Sequence, residues 1–169
     1  MQIPTINELK KTNFEALEDF SKKPFYEFTK RIFDIIAALV VFFVFSIFWI
    51  IIVIWIRIDS KGKAIFSHER VGQNGRLFRL YKFRTMYALA ADGSAEKGAA
   101  QFAETNDERI TRVGKFLRQT RLDELPQAWN LFKGEITLIG PRPERPEFVA
   151  KLEKALPYYH LRLLVKPGM

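Results

Sequence analysis

Two adjacent carboxylates, Asp123 and Glu124, stand in the stretch Thr120-Arg121-Leu122-Asp123-Glu124-Leu125-Pro126-Gln127. A helix is expected to start near Asp123 and to end before Gly134, because a proline costs little in a first turn and glycine suits the position after the last one. Both carboxylates then lie at the positive end of that helix, where free N–H groups and the macrodipole favour anions. An aspartate kept ionised there can act as a nucleophile, while its neighbour holds a divalent cation that screens incoming phosphates. The same two residues would serve equally as an ordinary acidic helix cap.

Two basic clusters complement the pair. In Gly140-Pro141-Arg142-Pro143-Glu144-Arg145-Pro146 the prolines stiffen the backbone that carries two arginines, and rigid guanidinium groups suit bidentate contacts to phosphate oxygens. A proline-rich turn with solvated arginines is the plainer reading. In Tyr81-Lys82-Phe83-Arg84-Thr85-Met86 basic and aromatic residues alternate. In a strand, Lys82 and Arg84 would project to one face and could grip a pyrophosphate, or merely form a polar sheet face. His68 and His160 lack metal-ligand spacing and read as structural or surface residues. No P-loop, dinucleotide fingerprint or G-x-S-x-G elbow is present.

The elements that must position these groups are legible in outline. Ala64 to Val71 and Leu77 to Phe83 flank Gln73-Asn74-Gly75-Arg76, and Asn-Gly at a turn centre favours positive φ at both positions, which predicts a β-hairpin. Apolar residues at 110, 113, 116 and 117 predict a helix over 110–120. Phe148, Val149, Leu152 and Leu156 predict another, stopped by Pro157. The Ala- and Gly-rich stretch from Ala88 to Ala103 has no strong apolar face and reads as a loop or weak helix able to close over a substrate.

From Ile35 to Ile56 there is no charged side chain. As a helix this run would be about 33 Å long, close to the hydrocarbon thickness of a bilayer. Basic residues stand on both sides, Lys30 and Arg31 before it and Arg57, Lys61, Lys63 and Arg70 after it. A spanning helix should show an asymmetry of charge, so the flanks favour a helix that enters and leaves on one side. The first 29 residues, with Phe14, Leu17, Phe20, Phe25 and Phe28 among balanced charges, suggest amphipathic surface helices divided at Pro24.

The formal net charge of +8 falls after the apolar run, since residues 1–34 carry equal numbers of basic and acidic side chains. A basic domain beside a membrane suits anionic headgroups or phosphorylated substrates. Nucleic acid is not expected as a partner, because neither aromatic platforms nor a recognition helix stands out. The absence of cysteine excludes disulfides, thiolate metal sites and cysteine nucleophiles.

Taken in order, Lys30-Arg31-x-x-Asp34, the apolar run, Phe66-x-x-x-Arg70-x-Gly72-x-x-Gly75-x-x-Phe78, Lys82-Phe83-Arg84-Thr85-Met86, Asn106-Asp107-x-Arg109-Ile110-Thr111-x-x-Gly114, the Asp123-Glu124 stretch and Gly140-Pro141-Arg142-Pro143 resemble the bacterial sugar transferases, the monotopic polyprenyl-phosphate phosphoglycosyl transferases. The resemblance implies a mainly α fold with a small β-hairpin. It implies an interfacial segment at 1–29, a membrane-inserted, re-entrant helix at 30–57 and a cytosolic catalytic domain at 58–169, on the cytoplasmic face of the bacterial inner membrane. It further implies Asp123 as the nucleophile on a UDP-sugar and Glu124 as its partner associated with Mg²⁺. Lys82, Arg84, Arg118 and Arg142 match phosphate-binding positions, and polyprenyl phosphate and membrane phospholipids are the implied partners. A homodimer stays open.

Two departures set alternatives. The family breaks its apolar helix at a Ser-Pro pair, whereas Ser46 is followed here by Ile47, so a straight spanning helix competes with re-entry. The chain also ends at Lys166-Pro167-Gly168-Met169, inside a motif that the family continues through Thr-Gly-Trp. An inactive, shortened, membrane-anchored binding or scaffold fragment is therefore the alternative to an active enzyme.

Overall fold

A computed structural model describes residues 24–89, 107–156 and 158–169. These residues are mostly helical with one two-stranded antiparallel sheet. The segment before Pro24 and most of the Ala- and Gly-rich loop lie outside them.

Helix α1 (Pro24–Val44) runs unbroken across residue 30, and α2 (Ser46–Asp59) follows at a bend of 63°. Neither helix alone is long and apolar enough to cross a membrane, although the bent pair passes that test together. The bend forms without proline. Phe45 leaves helical geometry at φ −97, ψ 7, and the Ser46 hydroxyl donates to the Phe43 carbonyl at 3.0 Å. A serine hydroxyl that takes over a carbonyl of the ladder is itself a cause of helix bending.

The hairpin forms where its turn chemistry places it. Strands β1 (Ile65–Val71) and β2 (Leu77–Phe83) pair from Ile65 opposite Phe83 to Val71 opposite Leu77. Asn74 and Gly75 take φ values of 56 and 74 in the turn, as an Asn-Gly pair allows. A buried amide ties the sheet to α4 (Gln127–Lys133): Asn130 Nδ2 donates to Arg79 O at 2.6 Å, and Tyr81 N donates to Asn130 Oδ1 at 3.1 Å. The side chain thus pairs one residue's worth of the β2 edge, which would otherwise be buried unsatisfied.

Helix α3 (Arg112–Gln119) is capped by Thr111, whose hydroxyl accepts from Gly114 N at 2.9 Å. Gly114 lies against the strand-end backbone so closely that an added Cβ would stand 2.0 Å from Thr85 O. Helix α5 (Pro146–Ala155) opens with its proline in the first turn, and the chain closes through a parallel bridge between Thr137 and Gly168.

Three apolar clusters hold these pieces. The first joins Ile52 and Ile56 of α2 to Phe83, Val113, Leu117 and Leu125, so the second apolar helix and the turn after α3 share one core. The second joins Ala38 of α1 to Leu80, Leu131 and Ile136. The third sets Val149 of α5 and Tyr159 against Val71. The bent pair is therefore built into the domain, and only part of its apolar surface faces outward.

Two polar contacts fix α1. Arg31 donates to Leu131 O at 2.7 Å and to Phe132 O, which places its charge on the carbonyl end of α4. Asp34, 3% exposed, accepts from Thr137 Oγ1 at 3.1 Å and Leu138 N at 3.0 Å. Arg31, read from sequence as a flanking charge of the apolar run, is thus a helix cap inside the fold.

Candidate functional site

Helix α3 ends at Gln119, and Arg121 then adopts a left-handed conformation (φ 60, ψ 12) that turns the chain into a single 3₁₀ turn, Leu122–Glu124. Pro126 follows, and α4 begins only at Gln127. The carboxylates therefore sit in a tight turn ahead of a short helix, not in its first turn. Side-chain cations take over the role that sequence assigned to a helix dipole.

Lys82, near the end of β2, is the central cation. Its Nζ stands 2.7 Å from Glu124 Oε1 and 3.9 Å from Asp123 Oδ2. Arg121 Nη1 lies 3.8 Å from Glu124 Oε1. Arg118 donates from Nε to Thr85 Oγ1 at 2.8 Å, and its charge acts on Asp123. Arg142 is exposed, and its charge acts on Glu124. Lys82, Arg118 and Arg142 are thus gathered about the two acids from β2, α3 and the proline-rich loop.

The two carboxyls are pushed in opposite directions. Burial and the neighbouring Glu124 raise Asp123 above the ordinary carboxylate value, and Lys82 and Arg118 only partly offset this. Burial would raise Glu124 as well, but its hydrogen bond and charge contact with Lys82, helped by Arg121 and Arg142, outweigh burial and lower it. A proton shared by this pair resides preferentially on Asp123. Once ionised, Asp123 is the carboxylate with the looser cation contact.

Arg84 does not join them, contrary to the expectation that it and Lys82 would present one face. Strand β2 ends at Phe83, and Arg84 turns into the end of α2, where Nη1 donates to Lys61 O at 2.7 Å and Nη2 to Ser60 O at 2.6 Å. It is 2% exposed. The carbonyls of Ser60 and Lys61, in the turn just past the end of α2, accept from its guanidinium. Its role is to hold α2 on the domain. Replacing Arg84 by Met is expected to lower stability by roughly 2–4 kcal/mol in urea denaturation, since the carbonyls of Ser60 and Lys61 lose the donor that ties them to the domain. Nucleotide affinity of the fraction that stays folded should be unchanged.

Arg121 is the site cation missed in the sequence. Its only signal was its place between two helical segments, where a reversal of the chain aims it back at the turn.

The acidic pair could hold a magnesium ion only as a partial ligand set. Among the described residues no group of three or more acidic or histidine side chains could form a metal cage. Mg²⁺, however, commonly takes one or two carboxylates, with water and substrate phosphates completing its octahedron. Glu124 and Asp123 supply that number. Glu124, held below the ordinary carboxylate range, would be the better ligand.

The bacterial sugar transferase family profile matches residues 25–169. The chain is 43% identical over 146 residues to the UDP-N-acetylgalactosamine-undecaprenyl-phosphate N-acetylgalactosaminephosphotransferase of Aeromonas hydrophila, covering 86% of this chain and 33% of that protein. It is 42% identical over 134 residues to a putative undecaprenyl-phosphate N-acetylgalactosaminyl 1-phosphate transferase of Bacillus subtilis (strain 168), covering 79% and 72%. It is 39% identical over 153 residues to the undecaprenyl-phosphate galactose phosphotransferase of Salmonella typhimurium, covering 84% and 31%. The chain thus spans about a third of two of these relatives and most of the third. By the extent of these matches, the chain belongs to the bacterial sugar transferase family.

Proposed function

We propose that this chain transfers a sugar 1-phosphate from a UDP-sugar to polyprenyl phosphate in two displacements at one phosphorus. In the first, an Asp123 carboxylate oxygen attacks the β-phosphorus, and the bond from that phosphorus to the bridging oxygen breaks. UMP leaves with the bridging oxygen, and an aspartyl phosphosugar remains. In the second, an oxygen of polyprenyl phosphate attacks the same phosphorus and displaces the Asp123 carboxylate, giving a polyprenyl diphosphosugar. The product is the lipid-linked sugar with which glycan or exopolysaccharide assembly would start.

The observation that carries this reading is the asymmetry of the dyad. Lys82 holds Glu124 at 2.7 Å and stands off from Asp123 at 3.9 Å, which leaves the second carboxylate available to react. Phosphoryl transfer asks a protein for charge neutralisation and placement above all. Lys82, Arg118 and Arg142 would neutralise the diphosphate, with Arg121 holding Glu124 from the solvent side. A Mg²⁺ held by Glu124 would add Lewis-acid screening of the donor's phosphates. One equivalent of UMP released per chain without lipid acceptor supports the scheme. Absence of that burst alongside intact nucleotide binding would instead support a binding fragment.

A lipid acceptor requires the site to lie at a membrane. The outward apolar surface of the bent pair, including Phe33, Ile36, Phe43, Ile47, Ile50 and Ile54, suits lipid contact. We read the pair as re-entrant in the inner membrane, with the domain on the cytoplasmic face. Single cysteines at Tyr26 and Lys63, in a chain that has none of its own, should both react with a membrane-impermeant maleimide only after inside-out vesicles are formed. Opposite accessibility would establish a spanning helix.

A further inference from the structure

His68 has no part in the dyad, yet its surroundings are unusual. Its imidazole stacks on Phe66 at 5.3 Å, and Phe66 pairs directly with Lys82 across the sheet. Alternation along β1 places Arg70 on the same face. Lys82, His68 and Arg70 thus form a row that leads from the dyad to the proline-rich loop, which Arg70 holds through a 3.0 Å hydrogen bond from Nη1 to Pro143 O and a 3.7 Å contact with Glu144.

In the middle of this row, hydrogen bonds are missing. Both ring nitrogens of His68 and Nε of Arg70 are sealed from solvent and have no hydrogen-bond partner among the described residues. A neutral imidazole offers one donor and one acceptor, and Arg Nε–H is a donor only. Two donors on one face of the hairpin are therefore buried without an acceptor, a costly arrangement unless something occupies it. Burial above all, helped by the charges of Arg70, Lys82, Arg145 and Arg142, pushes the imidazole pKa down to about 3, so it is neutral near pH 7. Water could satisfy the donors, but an oxygen that carries negative charge suits the surrounding cations far better.

We infer that His68 and Nε of Arg70, once the side chains that cover them part, form the floor of an anion subsite beside the dyad, which takes a phosphate oxygen of a diphosphate bound between Lys82 and Arg142. The inference rests on the donor reading above and adds to it a neutral contact where sequence shows only arginines and lysines. An uncharged donor binds the anion without adding to the cation repulsion that already crowds the sheet face. The arrangement is retained at a cost to stability, as polar atoms in binding sites commonly are.

Isothermal titration of the full chain with inorganic pyrophosphate and with UMP, at pH 7, tests this. His68→Leu should weaken pyrophosphate binding about tenfold, the scale of one hydrogen bond to a charged group. His68→Gln, which keeps a donor and an acceptor, should recover to within about threefold of the parent. His68→Leu should melt no lower than the parent, because it removes unpaired buried atoms. In ¹⁵N spectra the His68 ring signals should move on adding pyrophosphate, while those of exposed His160 stay in place. Equal pyrophosphate affinity in the parent and His68→Leu, with unmoved His68 signals, overturns the subsite while leaving the donor reading intact. A His68-dependent pyrophosphate site in a chain that releases no UMP from any UDP-sugar upholds the subsite and removes the donor reading.

Discussion

Asp123→Asn is expected to abolish UMP release from a UDP-sugar and to leave the fold at least as stable as before. Loss of a covalent nucleophile should lower turnover about 10⁴-fold or more. The stability result follows from the direction of its pKa shift. Asp123 is raised in the folded protein above its ordinary 3.8, so ionising it costs folding free energy. That cost is absent below the ordinary carboxylate range and sets in as pH rises through the folded value. Asparagine never ionises, so the melting-temperature difference in favour of the variant should grow from pH 4 to pH 7. Differential scanning calorimetry across that range, paired with a UMP-release assay, checks both halves. A variant that loses activity because it unfolds would instead melt well below the parent at every pH.

Lys82→Met should produce the second largest effect and move the pH profile as well. Removing the cation 2.7 Å from Glu124 and 3.9 Å from Asp123 leaves two partly buried carboxylates to repel each other and the diphosphate. A fall in kcat/KM of about 10³-fold is expected, comparable to the loss of a strong electrostatic contact in a transition state. The rate should rise with pH as Asp123 deprotonates, so the acid limb of kcat/KM reports that group. Lys82 is the largest influence holding Asp123 down, hence the limb should move toward neutral pH in Lys82→Met. Glu124 pushes Asp123 up, so Glu124→Gln should move the limb the other way while also lowering the rate. Shifts in the same direction for the two variants would contradict Asp123 as the titrating group.

The elements legible in the sequence are those whose signals are local. Asn74-Gly75 sets its own turn geometry, the apolar spacing of Val113, Phe116 and Leu117 marks α3, and Gly134 ends α4 at φ 80. The dyad was legible as a pair of acids with basic partners elsewhere in the chain. Its setting was not, because the left-handed Arg121 inserts a turn before α4 that no propensity marks.

Contacts between distant segments were the ones that escaped. Arg84 and Lys82 are two residues apart in a run that alternates like a strand, yet the strand ends between them, and the carbonyls of Ser60 and Lys61 claim the arginine. Arg31 bonds across about a hundred residues to the end of α4, so its charge could not be told apart from a membrane flank. The bend at Phe45 lacks the proline that usually announces one, and a serine hydroxyl supplies the cause instead. Asn130, in the middle of a short helix, gives no hint from sequence that its amide completes the edge of a sheet.

The covalent step at Asp123 is tested most directly by intact-protein mass spectrometry after incubation with a panel of UDP-sugars and Mg²⁺, without lipid acceptor. The expected result is a mass gain of one sugar phosphate, mapped to Asp123 by peptide fragmentation and discharged on adding polyprenyl phosphate. An unchanged mass in a sample that releases UMP only when polyprenyl phosphate is present would mean direct transfer between substrates, and would contradict Asp123 as nucleophile.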